Sequence, residues 1–173
     1  MLQGDLELAA AIATGILPQL APGVFARGRA MLWDLPFAAE LQAAYFPERT
    51  LEASPGKGAD FSLFYAGLGL CTRPPRSSTL AVSGCVGADF GSMVGQGYGF
   101  DYSPSFRSPV FLLGARGRFW FRPLRNLAIV AGPDVSVPLV RDHFQTRSPT
   151  GTEELFRMSP VSLAFELGLV WEL

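Results

Sequence analysis

Lysine is almost missing from this chain of 173 residues: Lys57 stands alone against thirteen arginines, and His143 is the single histidine. Charged residues make up only 17%, below the roughly 25% of soluble domains. The net charge of −1 removes any general pull toward nucleic acid. Two cysteines, Cys71 and Cys85, cannot make a zinc set by themselves. The chain holds no G-x-S-x-G, P-loop or HExxH pattern, and "GQGYGF" lacks the flanks of a dinucleotide turn. No cofactor and no metal is therefore expected. Mean hydropathy is nevertheless +0.25, while no run of about 18 apolar residues offers a membrane helix. A positive n-region is also missing: Asp5 and Glu7 precede the apolar stretch "LELAAAIATGIL", and the first basic residue is Arg27. The expectation is one domain, 1–173, with a signal peptide absent or lost.

What is present is alternation with period two, the mark of strands with two unlike faces. In "PVSLAFELGLVWEL" every odd position from Val161 to Leu173 is apolar, and the even ones are small, acidic or Val170. The same pattern gives eight strands, at about 5–17, 24–33, 37–46, 61–72, 79–93, 109–121, 126–138 and 160–173. Most are far longer than the five or six residues usual in soluble sheets, and fit the roughly 9–11 of a tilted membrane strand. Connections alternate. Those at 34–36, 73–78 and 122–125 are short; those at 47–60, 94–108 and 139–159 are long. This predicts an all-β, eight-stranded, up-and-down antiparallel transmembrane β-barrel, with short turns at one end and long loops at the other. Pro133 predicts a bulge or a weak ladder position.

The peptide ARGR occurs twice, at 26–29 and 115–118. Residues two apart share one face of a strand, so Arg27 pairs with Arg29, and Arg116 with Arg118. An arginine facing lipid at midplane costs about 2–4 kcal/mol, so the arginines belong inside. Parity sends Asp5, Glu7, Glu40, Gln42, Asp89, Asp134 and Glu166 inward too. The predicted lumen charge network is Glu7, Arg27, Arg29, Glu40, Asp89, Arg116, Arg118, Asp134 and Glu166, in a tube just wide enough to be filled by side chains. Inward glycines at 67, 69, 87, 91, 114, 132 and 168 make room for it.

Aromatic bands are expected at both membrane interfaces: Trp33, Trp120 and Trp171 at the short-turn end, and Tyr45, Phe64 and Phe90 toward the long loops, in company with Phe46 and Phe61. Strict parity, however, turns Trp33 and Trp120 to the arginine side. Cys71 and Cys85 flank the turn at 73–78, and a hairpin centred near residue 78 sets them opposite one another. They are read as a disulfide, or as two buried thiols.

The segment "GLGLCTRPPRSSTLAVSGCVGADFGSMVGQGYG" (67–99), "LLGARGRFWF" and "SLAFELGLVWEL" resemble small outer-membrane β-barrel proteins of Gram-negative bacteria, especially a myxobacterial-type family with an OmpA- or OmpW-like eight-stranded architecture. Leu173 stands where the terminal aromatic of such barrels is usual. The resemblance implies the Gram-negative outer membrane and insertion by the barrel-assembly machinery. The expected role is structural, or surface interaction through the long loops. The expected partners are outer-membrane lipid, with lipopolysaccharide at Lys57, Arg107, Arg141 and Arg147, and the expected state is a monomer. Alternatives are a narrow channel for small solutes, a soluble lipocalin-like barrel with inverted parity, and an α+β fold with a helix at "LELAAAIATGIL". A lipid A-modifying enzyme would draw on His143 with Asp142, Ser148 and Glu153; no enzymatic activity is expected.

Overall fold

The computed structural model describes residues 3–31, 35–75, 77–99, 105–141, 143–148 and 151–173; for 53, 143–148 and 151–155 it describes the backbone alone. The strands are β1 (Gly4–Thr14), β2 (Ala21–Met31), β3 (Phe37–Ser54), β4 (Lys57–Thr72), β5 (Leu80–Tyr98), β6 (Ser105–Leu124), β7 (Leu127–Pro138), β8 (His143–Ser148), β9 (Gly151–Arg157) and β10 (Ser162–Glu172). Eight of them close a barrel in the order β1-β10-β7-β6-β5-β4-β3-β2, every neighbouring pair antiparallel. β8 and β9 form a separate hairpin inside the longest connection.

Alternation decides which way each residue faces. On β1, Asp5, Glu7, Ala9, Ala11 and Ala13 are buried, while Leu6, Leu8 and Ile12 are exposed. On β10, Leu163, Phe165, Leu167, Leu169 and Trp171 are exposed, and Ser162, Glu166 and Val170 are buried. The outside of the barrel is thus a belt of large apolar side chains, and the inside holds the ions. Water would make this arrangement absurd, because burial of apolar surface is the main force of folding. Hydrocarbon makes it necessary, because a closed sheet leaves no strand edge unsatisfied in lipid.

The barrel is lopsided. β1, β2, β7 and β10 have 11, 11, 12 and 11 residues, whereas β3 to β6 have 18, 16, 19 and 20. β3–β6 therefore continue past the belt by about seven residues, roughly 20 Å of strand. They build a four-stranded wall above the long-loop end. The segments 47–60 and 94–99, expected as loops, are largely strand. Their outward residues, such as Glu48, Thr50 and Glu52, are polar, so the alternation that reveals a membrane strand fades there. Gly56, at φ 76°, turns the tip of the β3–β4 hairpin, in a conformation glycine adopts without cost. Pro133 marks a weak ladder position and no bulge: β6 and β7 keep one register from Arg116↔Asp134 to Phe119↔Ala131, with no pairing at the two positions between. The first segment is strand, not helix; Ala9, Ala11 and Ala13 serve as small inward residues.

Candidate functional site

The lumen is the one place, among the described residues, where chemistry-bearing side chains converge, and cross-strand register explains how. Asp5 lies opposite Arg29 and Glu7 opposite Arg27 across β1–β2. On the other flank of β2, Arg27 faces Gln42 and Arg29 faces Glu40. Arg116 faces Asp134 across β6–β7. Each ARGR peptide thus meets acids on adjacent strands, and the two copies then reach across the tube to shared carboxylates.

Glu7 is the hub. It accepts from Arg27 Nη1 at 2.6 Å, from Arg29 Nη2 at 2.7 Å and from Arg118 Nη1. Arg27 also donates to Glu166 at 2.6 Å and to Gln42 at 3.0 Å. Arg29 Nε donates to Asp5 at 2.7 Å. Arg116 Nη1 donates to Glu40 at 2.8 Å and to Gln42, and Gln42 donates in turn to Asp89. Glu40 lies 3.3 Å from Arg118 Nη2, and Asp134 lies 3.8 Å from Arg116 Nε. All nine residues expected in this network are buried inside the barrel. Glycines supply the room: a Cβ on Gly87 would lie 2.6 Å from Arg116 Nη2, and one on Gly69 3.5 Å from it. Arg118 Nε and Nη2, Arg116 Nη2 and Glu40 Oε2 have no hydrogen-bond partner within the protein.

Below the network, toward the short turns, Trp120 is buried and donates to Ser83 at 2.8 Å. Arg29 and Arg122 stack on its ring at 4.5 Å and 5.1 Å. Arg122 holds Glu172 at 2.7 Å and the carbonyls of Pro75 and Ser78 at 3.1 Å and 3.2 Å. Trp120 is therefore not an interface aromatic: parity prevails, and the indole closes the mouth of the tube. Trp33 lies outside the described residues. Trp171, Tyr45, Phe64 and Phe90 face outward.

Above the network the lumen turns apolar. Phe25, Phe46 and Tyr65 pack together with ring centroids 5.8–6.2 Å apart. Phe61 meets Phe106 at 6.0 Å and Phe156, at the end of β9, at 5.4 Å. Leu63, Met93, Val110, Leu112 and Met158 belong to the same cluster, together with Ile16, Leu17 and small alanines. Arg27 lies over the Phe25 ring at 4.3 Å and joins the two levels. Sequence reasoning misses this aromatic plug, because it assigns Phe46 and Phe61 to an interface band. The signal is there, since Phe25 shares parity with Arg27, and Phe46 with Gln42. Arg122, which reads as part of a turn, is missed as well.

Cys71 and Cys85 are cross-strand partners joined by a disulfide. His143 and Ser148 occupy opposite ends of β8, five residues and about 17 Å of strand apart, and Asp142 lies outside the described residues. The backbone thus holds apart the His143 and Ser148 that a lipid A-modifying enzyme would draw on. Of the cations expected to meet lipopolysaccharide, Lys57 and Arg107 are exposed, and Arg141 donates to the Met158 carbonyl at 3.0 Å.

No family model matches this chain, and no curated protein does. Solved structures do resemble it. A major outer-membrane protein of Thermus thermophilus superposes with a TM-score of 0.71 at 12% identity, covering 99% of both chains. The outer-membrane protein OprG of Pseudomonas aeruginosa gives 0.66 at 12% identity, over 98% of this chain and 96% of its own. Ail, the attachment invasion locus protein of Yersinia pestis, gives 0.57 at 15% identity, over 99% and 97%. The fold of this chain is that of the eight-stranded outer-membrane β-barrels.

Proposed function

We propose that this protein is a monomeric outer-membrane barrel of a Gram-negative bacterium, with a filled lumen, acting through the wall and hairpin it holds above the bilayer. The observation that carries this reading is the filling of the tube: a tryptophan–arginine closure, a salt-bridge layer and an aromatic plug follow one another along its axis. Transport is the competing reading, and the same observation weighs against it. Single-channel recording in planar bilayers separates the two. A steady conducting level would refute the filled lumen; no steady level is expected.

A surface role fits a lopsided barrel. The wall of β3–β6 exposes polar side chains such as Glu48, Thr50, Glu52, Lys57 and Arg107. Its structural neighbour Ail has been solved in complex with the heparin analogue sucrose octasulfate, so a barrel of this fold can hold a ligand. Lipopolysaccharide contact at Lys57, Arg107, Arg141 and Arg147 belongs to the same reading, as do insertion by the barrel-assembly machinery and the finer resemblance to myxobacterial-type barrels. The paired reversals Lys57→Glu and Arg107→Glu should lower lipid phosphate retained on purification. Unchanged retention would remove lipopolysaccharide from the proposal.

A further inference from the structure

We infer that the Cys71–Cys85 disulfide is made by thiol–disulfide exchange before the barrel closes, and that closure then locks its redox state. The residues are 1% and 3% exposed, and both face the lumen. Toward the short turns lie Ser83 and Trp120, bonded to each other, and Arg122 with Glu172. Toward the long loops lie the charge network and the aromatic plug. Outside the bridge the wall carries the paired residues Leu70 and Val86, exposed to the apolar belt. At 1% and 3% exposure the bridge offers no protein active site a path to its sulfurs unless the barrel opens.

Chemistry points the same way. Exchange proceeds through a thiolate attacking a disulfide sulfur, and needs room for a mixed disulfide with the carrier. In the closed barrel that anion would form beside Glu40, whose carboxylate lies within 4.8 Å of both sulfurs. Arg116, the cross-strand neighbour of Cys85, commits Nη1 to Glu40 and Gln42, and its Nη2 has no partner within the protein. In the open chain neither obstacle exists. The two cysteines are 14 residues apart around a short turn, so the hairpin brings them together without help from the rest of the barrel. The two chain thiols give up two electrons and two protons; the carrier's disulfide becomes a dithiol. The β4–β5 hairpin, at the base of the tall wall, then enters assembly with its register fixed covalently.

The test uses the full chain, prepared as disulfide and as dithiol, each folded from urea into detergent micelles. Folding is read by heat-modifiable gel mobility and thiols by maleimide–polyethylene glycol shift. In dithiothreitol the folded disulfide form should be reduced at least about 100-fold more slowly than the urea-unfolded chain, because reduction waits for the barrel to open. A dithiol chain that has folded should resist oxidised glutathione to the same degree. Fast reduction or fast oxidation with the fold intact would overturn the order. If the dithiol chain does not fold, oxidation must come first, which supports the order; the reduction arm still decides against it if the folded bridge proves open. Both readouts are independent of which membrane holds the protein.

Discussion

Glu7→Gln is the sharpest probe of the lumen, because it removes one charge and almost no volume. Three guanidinium groups lose an ionic partner at once. Arg27 retains Glu166, and Arg29 retains Asp5. Arg118 retains only Glu40, at 3.3 Å and without a hydrogen bond, while its Nε is already unpartnered. Breaking a buried pair from one side costs about 3–5 kcal/mol, since the remaining charge stays buried without compensation. Urea unfolding in lipid vesicles, followed by tryptophan fluorescence, should show that loss as a lower midpoint at unchanged slope. Trp120 lies against Arg29 and reports from inside the site. Adding Arg118→Met removes the stranded cation, so the double variant should recover about 1–3 kcal/mol relative to the sum of the singles. A loss below about 1 kcal/mol for Glu7→Gln, with an additive cycle, would mean that solvent already screens these charges as it does at a surface, and the filled-lumen reasoning would fail.

Two further outcomes follow from the sidedness of the wall. Gly87→Ala places a methyl 2.6 Å from Arg116 Nη2 and 2.7 Å from the Leu68 carbonyl, and should cost about 1–3 kcal/mol by overpacking; Gly84→Ala, whose nearest contact is 3.9 Å away on the outer face, should leave the urea midpoint unchanged. Leu167→Arg, at the centre of β10 on the apolar belt, should lose about 2–4 kcal/mol in vesicles, whereas an equal stability of the two proteins would place that face in water.

How much of this is readable from sequence depends on the solvent around each residue. Where lipid lies on one side and packed ions on the other, alternation is strict, and the directions of Arg27, Arg116, Glu166 and the seven glycines can be read residue by residue. Hairpin symmetry sets Cys71 opposite Cys85 and leaves open whether they are bridged or two buried thiols. Above the bilayer, residues such as Glu48, Thr50 and Asp60 meet water on the outer face, and the contrast between faces is lost. The wall of β3–β6 and the β8–β9 hairpin are therefore hidden. Trp120 and Phe46 show a different limit. Aromatic residues are expected both at lipid interfaces and in packed interiors, so their type says little and their parity says nearly everything. Loop composition, likewise, does not reveal that Phe156 reaches back to Phe61.

The network also helps to explain why the barrel closes in one register. A slip of one residue between strands exchanges the two faces of a strand. On β6 such a slip would carry Arg116 and Arg118 into the apolar belt, at about 2–4 kcal/mol each near midplane, while Phe119 and Phe121 would enter the tube. A slip of two preserves the faces, so hydrophobicity alone does not forbid it. It would, however, move Arg29 from opposite Asp5 and Glu40, and Arg27 from opposite Glu7 and Gln42, on both flanks of β2. The Cys71–Cys85 pair excludes the same slip between β4 and β5. Apolar faces thus fix the odd-even choice, and paired charges with one covalent bond fix the choice among registers of equal parity. This division of labour gives a charged lumen a structural reason to exist without any solute passing through it.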